Sequence, residues 1–461
     1  MKDRKPLLLD LLLAFFVFAF GAIYIFVTPP MQTPDEPAHL FRAWQISGGG
    51  SGTGVEGGEP VHDIPAGFAR MKEEASPIFG DPTKKPAAGE VWAKWSLLDS
   101  VGGPTVKAAV TGAANYPPVP YLLQAAALAL SRWTDASTAA AIVAARAASL
   151  LLYCALLFVS LRLLPSSGAA RLWLFAVAAM PQSIFMAISP GADATTAGLC
   201  FLIFAMSIRL CAEPSRKLFA ISLATSAALT LSKPAYQFVP FLLVMHSLVG
   251  DAPGRLRRAA KSFAAVAAVT VPLWVGWSVF VWGRFGEWLT HGSVDPAAQA
   301  LSVFRRPDLF AAAVAKTVAG NLSDFTRTFV GYLGWLDTPV PMPFVLAVVL
   351  TLIFLSLVSW GREAPPSNRA SKALAFGVLL ASVLLIFFML YIQWTPVGQG
   401  TVEGIQGRYF IPIAPIAALF TPRLLRIESV GTRKALFAAV VALWSAVAAS
   451  GADAIFSRYW R

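Results

Sequence analysis

Four ionisable residues follow the first long apolar run, in the stretch TPDEPAHLFRAW. Asp35, His39 and Arg42 stand at positions i, i+4 and i+7, so one face of a helix would carry all three, with Glu36 beside Asp35. A carboxylate in this setting can act as a general base or bind a divalent metal. A structural interpretation competes, because Thr33 followed by Glu36 fits a capping box and acids favour the first turn of a helix.

A second group of polar residues lies in short segments between later apolar runs. Asp193, in SPGAD, fits both a helix start capped by Ser189 and a functional carboxylate. Lys233, in SKPAY, must either extend towards water or meet an anion. Arg408, in GIQGRYFIP, can place its guanidinium fork on phosphate oxygens, with outward extension as the alternative. These residues predict an acid–base function beside a site for an anionic headgroup.

Two aromatic segments add weaker candidates. Asp337 lies in GYLGWLDTPVP, and Tyr409 follows Arg408 directly. We include both with His39 and Arg42 as candidate substrate-binding or phosphate-binding residues. Aromatic residues in such segments are also typical of the belt at a membrane–water interface.

The elements that must position these residues are transmembrane helices. The chain of 461 residues is 56% hydrophobic and 13% charged, with a mean hydropathy of +0.63. Soluble domains carry about 25% charged residues. Apolar runs of roughly 17–25 residues recur along the chain, each long enough to cross a hydrocarbon core of about 30 Å. We therefore predict an all-α integral membrane protein.

Eleven spans give a consistent topology. They are predicted at 7–28, 137–164, 169–189, 194–212, 217–232, 236–250, 258–282, 343–360, 372–393, 409–425 and 433–452. Lys and Arg gather in the short loops that this arrangement puts on the side of the N-terminus, which the positive-inside rule makes cytoplasmic. If all these basic loops lie on one side, an even number of spans must separate each neighbouring pair of them. This holds only if 116–133, with its three early prolines, does not cross the membrane and forms a juxtamembrane helix on the outer side. All the candidate residues then lie outside.

Two large outer segments follow from this topology within a single membrane domain. The first, 29–136, contains the Gly-rich stretch GGGSGTGVEGGEP. The second, 283–342, contains an amphipathic stretch at 308–329 that suits the membrane surface.

Composition and motifs also exclude several functions. The net charge of +12 is spread over short loops, which argues against nucleic-acid binding. Cys154, Cys200 and Cys211 lie in apolar runs and form no metal or disulfide pattern. Neither a P-loop nor a Rossmann glycine motif is present. If the candidate residues catalyse a group transfer on the outer side, we therefore expect the transferred group to be carried by a lipid and not by a nucleotide.

The motifs PDEPAHLFRAWQISGG, YPPVPYLL, SPGADATT, SKPAY, GWLDTPVP and QGRYFIPIAPI resemble a bacterial family of multi-pass membrane proteins of unknown function, grouped with the GT-C glycosyltransferases. The resemblance runs from Pro34 to about Pro415. It implies a GT-C-like fold in the bacterial inner membrane. It also implies transfer of a sugar from a polyprenyl-phosphate or polyprenyl-diphosphate donor to an acceptor of the cell envelope on the extracytoplasmic side.

Carried over by position, the resemblance implies that Asp35 is the first catalytic acid and Asp193 the second, with Glu36 as a further catalytic candidate. Lys233 and Arg408 would bind the carrier phosphate. A divalent cation, Mg²⁺ or Mn²⁺, held by Asp35 and Asp193 is left open, because GT-C enzymes differ in metal dependence. Expected partners are the lipid-linked donor, the envelope acceptor and membrane lipids.

A transporter or flippase for lipid-linked sugars or other amphiphiles is the main alternative. Transport predicts functional charges near the bilayer midplane and on both faces. The candidate residues cluster on one predicted face, which favours an enzyme. A structural membrane protein is the second alternative.

Overall fold

A computed structural model describes residues 7–48, 54–56, 59–85, 100–110, 112–165, 169–249, 253–285, 294–360 and 368–461. Most of the Gly-rich stretch at 48–60 and the basic N-terminal residues lie outside these ranges. The described chain is mostly helical, as the hydrophobic pattern predicts. It carries three small β-sheets in the connecting segments.

The α-helices are, in chain order, α1 (Leu7–Val27), α2 (Glu36–Ile46), α3 (Ala66–Ala75), α4 (Leu122–Trp133), α5 (Thr138–Leu163), α6 (Ala169–Ala178), α7 (Pro181–Ala187), α8 (Ala192–Ala212), α9 (Arg216–Thr230), α10 (Met245–Leu248), α11 (Arg255–Phe285), α12 (Pro296–Arg305), α13 (Pro307–Val330), α14 (Met342–Leu357), α15 (Arg369–Gln393) and α16 (Val430–Tyr459). Short 3₁₀ helices are Ser76–Ile78, Val119–Tyr121, Pro234–Tyr236, Val239–Val244 and Gly407–Leu419.

The strands form connecting structure. An antiparallel sheet in the first large segment has the order β1 (Gly54–Glu56), β2 (Glu59–Pro65), β3 (Thr105–Ala109). The pair β4 (Tyr332–Leu333) and β5 (Thr338–Pro339) closes a turn after α13, and β6 (Val358–Trp360) pairs in parallel with β7 (Leu425–Ile427). The first sheet contributes to a second hydrophobic cluster, in which Ile64 of β2 is buried together with Phe41 of α2 and Phe68 of α3.

Six described helices are long and apolar enough to cross a membrane: α1, α5, α8, α11, α15 and α16. Helices α6 and α7 make a seventh if they count as one span broken by a bend of 65° just before Pro181. The predicted spans at 217–232, 236–250, 343–360 and 409–425 instead appear as shorter helices or 3₁₀ segments. The membrane character is confirmed, whereas eleven complete spans stay a prediction.

Prolines explain one of these differences. Within Gly407–Leu419, Pro412 and Pro415 lack the N–H group that an α-helical hydrogen bond needs, and the segment is a 3₁₀ helix. Its thirteen residues are still mostly buried, so the apolar pattern read from the sequence marks burial inside the bundle.

Helix α8 lies at the centre of the bundle. Of its most apolar 18-residue window 94% is buried, against 17% for α11 at the periphery. Helices α5, α9 and the segment Gly407–Leu419 pack around α8. The first turn of this central helix carries Asp193, so the candidate site lies against the core.

Two ion-paired networks mark opposite ends of the bundle. Near the start of α1, Asp10 accepts from Arg171 at 2.6 Å and from Arg162 at 3.2 Å. Near the end of α1, the backbone carbonyl of Ile25 accepts from Arg146, early in α5. Helices α1 and α5 are therefore antiparallel. The N-terminal end of α1 and the α5–α6 connection share one end of the bundle, as the charge pattern predicts.

The segment 116–133 does not form a long helix. Helix α4 has twelve residues, about 18 Å at 1.5 Å per residue, and follows the 3₁₀ turn Val119–Tyr121. It packs against α2 and α5, while Leu122, Leu130 and Trp133 are exposed. Helix α4 by itself is too short to cross a hydrocarbon core of about 30 Å, and its place on the outer side stays a prediction.

Replacing Asp10 by Ala should lower the free energy of unfolding by about 3–5 kcal/mol, because the change leaves Arg171 buried without its counter-charge. Asp453→Ala is the matched control, since Asp453 forms an exposed pair with Arg461. That substitution should change stability by less than about 0.5 kcal/mol. Denaturant unfolding of the purified protein in detergent measures both. Equal losses would contradict the structural role of Asp10.

Candidate active site

Asp35 ends the turn between α1 and α2 in a conformation that favours glycine. Its φ is 59° and ψ is 12°, in the left-handed region, and Met31 in the same turn also has a positive φ, of 65°. Non-glycine residues in this region are strained and persist where their surroundings fix them. The Asp35 side chain makes no helix-capping hydrogen bond. The capping interpretation therefore does not account for Asp35.

Glu36 has a different role from its neighbour. Its side chain is fully buried and forms a bidentate pair with Arg146, with two N–O distances of 2.7 Å. It also accepts from the backbone N–H of Thr33 at 3.1 Å, which is one half of the predicted capping box. A carboxylate with no exposed surface does not reach a substrate. We therefore correct the catalytic assignment of Glu36 to a structural one.

Arg146 also holds the backbone of the turn between α1 and α2 through hydrogen bonds. Besides Glu36, its guanidinium donates to the carbonyls of Ile25 at 3.3 Å, Thr28 at 2.6 Å and Pro29 at 2.8 Å. All three belong to the end of α1 and the start of the turn. Arg146 is not among the residues predicted from the sequence, although a lone arginine in the apolar run IVAARAASLLLY indicates a paired or functional charge in a span.

Arg408 meets Asp35 across the fold. One guanidinium nitrogen of Arg408 lies 3.4 Å from Asp35 Oδ2. The Arg408 side chain is 7% exposed and that of Asp35 is 58% exposed. The Nε atom of Arg408 is buried and has no partner among the described residues. Arg408 is thus held in place but keeps donor capacity, and Asp35 keeps an open face.

Asp193 and Lys233 form the second acid–cation pair. Asp193 lies in the first turn of α8, and the Lys233 ammonium donates to its Oδ1. Pro234 begins a 3₁₀ turn directly after Lys233, which sets the direction of this short connection. The Lys233 ammonium also lies 5.7 Å and 5.6 Å from the ring centroids of Tyr116 and Tyr409. Burial lowers the pKa of Lys233, but Asp193, followed by Tyr116 and Tyr236, raises it, and the net pKa lies well above its ordinary value.

His39 lies beside both pairs. Its Nδ1 is 2.7 Å from the hydroxyl of Tyr121, and a side chain at Gly191 would crowd its ring. Burial lowers the pKa of His39 below its ordinary value of 6.5, and the charges of Asp35 and Asp193 oppose part of this shift. His39 is therefore neutral at pH 7 and offers a hydrogen-bonding group without a charge.

The remaining candidate residues are Arg42, Tyr409 and Asp337, and they lie in different surroundings. Arg42 donates to the Gln45 side chain at 2.5 Å and the Tyr116 carbonyl at 2.9 Å, and it pairs with no carboxylate among the described residues. Tyr409 lies at the site, with Arg408 5.4 Å from its ring. Asp337 does not: it is buried in an ion pair with Arg458 at 3.0 Å. We correct its substrate-binding assignment on that ground.

A family model described as predicted membrane protein (DUF2142) matches residues 18–417 of the chain. The chain belongs to this family. No curated protein and no solved structure matches it. The matched range of this DUF2142 chain includes Asp35, Asp193, Lys233 and Arg408, whereas Arg458 lies beyond it.

The residues do not fit a divalent metal centre. Asp35 and Asp193 each hold a cationic side chain, and those cations would repel a metal ion. Across the described ranges, no group of three or more His, Cys, Asp or Glu side chains is arranged to bind a metal. We derive no step through a metal.

Gly407 determines where Arg408 lies. A Cβ atom at Gly407 would stand 1.9 Å from the Phe325 carbonyl oxygen and 2.5 Å from the Phe329 nitrogen, both backbone atoms of α13. Its own N–H donates to the Thr328 hydroxyl at 2.7 Å. The segment that carries Arg408 therefore touches the backbone of α13, and only glycine allows this approach.

Gly407→Ala should destabilise the protein by about 1–3 kcal/mol, because the added methyl group meets backbone that must shift. Gly400→Ala is the control: a Cβ there meets only the end of the Lys316 side chain, at 3.8 Å. Melting temperatures of the two variants in detergent measure the difference. Equal melting temperatures would contradict the close approach of Gly407 to α13.

His39 should make stability depend on pH. The unfolded chain binds a proton at His39 as the pH falls through 6.5, whereas the folded protein resists this protonation. The free energy of unfolding should therefore be fully retained above pH 6.5 and decrease below it. The decrease should be smaller in His39→Gln, as measured by unfolding between pH 7.5 and 5. Identical pH profiles for the two proteins would contradict the lowered pKa.

Proposed function

We propose that this protein is a membrane glycosyltransferase of the GT-C type, which transfers a sugar from a polyprenyl-phosphate-linked donor to an acceptor of the bacterial cell envelope. One observation carries the proposal: four separate segments bring two carboxylate–cation pairs, Asp35–Arg408 and Asp193–Lys233, to the same end of the bundle. Sugar transfer needs this combination of a base and an anion-binding group.

The cations keep enough donors for a phosphate. An ammonium has three N–H donors, and Lys233 uses one of them on Asp193. A guanidinium has five; Arg408 donates to Asp35 at 3.4 Å, and its Nε has no partner among the described residues. Both can hydrogen-bond to phosphate oxygens while they stay paired. This donor capacity supports binding of an anionic headgroup.

The charge balance of the site also supports an anionic ligand. Asp35 and Asp193 compensate Arg408 and Lys233, and neutral His39 adds no charge. Arg42 remains without a paired carboxylate among the described residues. The five ionised groups therefore sum to one positive charge. A negatively charged phosphate would complete the balance.

In the mechanism that we propose, Asp35 acts as the general base. Its carboxylate takes the proton of an acceptor hydroxyl, whose oxygen forms a bond to the anomeric carbon of the donor sugar. The bond from that carbon to the phosphate oxygen breaks, and its electron pair leaves with the phosphate. Arg408 and Lys233 stabilise the charge that develops there. Attack opposite the leaving group inverts the anomeric configuration.

The remaining groups position the reactants. Asp193 holds the Lys233 ammonium in place, and the rings of Tyr116 and Tyr409 flank it. His39 and its partner Tyr121 can hydrogen-bond to an uncharged sugar or acceptor hydroxyl. We place this end of the bundle on the extracytoplasmic face of the inner membrane and the N-terminus in the cytoplasm, because the basic loops favour that orientation.

Removing the charge of Asp35 or of Lys233 should reduce the rate of sugar transfer. Asp35→Asn should lower the rate by about 10²–10⁴, and Lys233→Ala by on the order of 10²–10³. Glu403→Gln is the matched control, because Glu403 is an exposed acid in the loop before Arg408. Mass spectrometry of surface glycans from wild-type, deletion and variant strains measures the product.

Identical glycans from the wild-type and deletion strains would reject the glycosyltransferase function. A glycan that changes on deletion but is restored by Asp35→Asn would instead support transport or a structural role. Western blots of the membrane fraction ensure that all variants are present at equal levels.

A further inference from the structure

The buried ion pair between Arg458 and Asp337 joins three segments that are far apart in the chain. Arg458, near the end of α16, pairs with Asp337, and their side chains are 5% and 0% exposed. The same guanidinium donates to the carbonyls of Ile78 at 3.2 Å, Asp81 at 2.8 Å and Lys84 at 2.6 Å. One side chain thus binds part of the first large segment and the β4–β5 turn.

The β4–β5 turn, which Arg458 holds through Asp337, also contacts the turn that bears Asp35. Trp335 stacks on Phe79, with ring centroids 4.2 Å apart and planes inclined by 19°. Its indole N–H donates to the carbonyl of Met31 at 3.0 Å. Met31 is one of the two residues with positive φ in the turn before α2, and Asp35 is the other.

We propose that Arg458, Asp337 and Trp335 form a positioning clamp for Asp35. The strained turn is held by Arg146 on one side and by the clamp on the other, since a strained backbone persists only where its surroundings over-determine it. None of the three clamp residues touches Asp35 or Arg408 directly, so they act through the backbone. This assignment rests on the proposed function for its effect on catalysis, but its effect on the turn stands by itself.

Trp335→Phe tests the clamp with the smallest change. Phe keeps a ring that can stack on Phe79 but loses the N–H that binds Met31. Trp360→Phe is the matched control: Trp335 is partly buried and Trp360 is buried, but the indole N–H of Trp360 has no partner among the described residues. Hydrogen–deuterium exchange of the purified full-length protein in detergent, followed by mass spectrometry of its peptides, measures the rate of amide exchange in each segment.

The expected result is at least tenfold faster amide exchange in peptides covering 28–36 for Trp335→Phe, with no change for Trp360→Phe. Peptides from α8 and the melting temperature should stay as in the wild type. Arg458→Lys is a second variant: lysine keeps the charge opposite Asp337, but its three N–H donors cannot serve that carboxylate and all three carbonyls at once. It should also speed exchange at 28–36. Product glycan should fall at least tenfold in both variants at equal protein levels.

Unchanged exchange at 28–36 in Trp335→Phe, or faster exchange in all peptides alike, would overturn the clamp. The two proposals fail separately. If deletion leaves the surface glycans unchanged but the exchange result is as expected, the glycosyltransferase function is rejected and the clamp stands. If glycans depend on Asp35 but exchange at 28–36 is unaffected, the function stands and the clamp is rejected.

Discussion

The pair between Glu36 and Arg146 supports the site on which the proposed function depends. Burying two charges is costly, and the cost is recovered only where geometry is good and the remaining donors are satisfied. Arg146 meets both conditions: it is bidentate to Glu36, and its remaining N–H groups donate to the carbonyls of Thr28 and Pro29 just after α1. Since Glu36 is the first residue of α2, the pair fixes the start of that helix. It thereby fixes Asp35 just before it.

Charge compensation explains how a polar site exists at the edge of an apolar bundle. Each of the two carboxylates holds a cation from another segment, and the tyrosine rings cover the ammonium. Asp35 alone is substantially exposed. The pairing offsets the desolvation of the four charges, keeps them in position and leaves one carboxylate open to solvent. This combination distinguishes the Asp35–Arg408 pair from the fully enclosed pairs of Asp10, Glu36 and Asp337.

Sequence patterns predicted which candidate residues lie close together better than they predicted the number of membrane spans. The residue types beside span ends predicted that Asp35, His39, Asp193, Lys233 and Arg408 are close in space, and the structure brings them together. The apolar pattern reports burial and does not separate a membrane span from an interior 3₁₀ segment such as Gly407–Leu419. The roles of Glu36 and Asp337 could not be predicted, because their partners Arg146 and Arg458 are over a hundred residues away.

The contact between Asp35 and Arg408 joins residues 373 positions apart. A ribosome delivers α1 and the turn long before it delivers the segment containing Arg408, since synthesis proceeds from the N-terminus at roughly 5–20 residues per second. Asp35 must therefore stay without its cation for tens of seconds while later helices insert. An incomplete chain in the membrane therefore lacks the Asp35–Arg408 pair, which assembles only late in biogenesis.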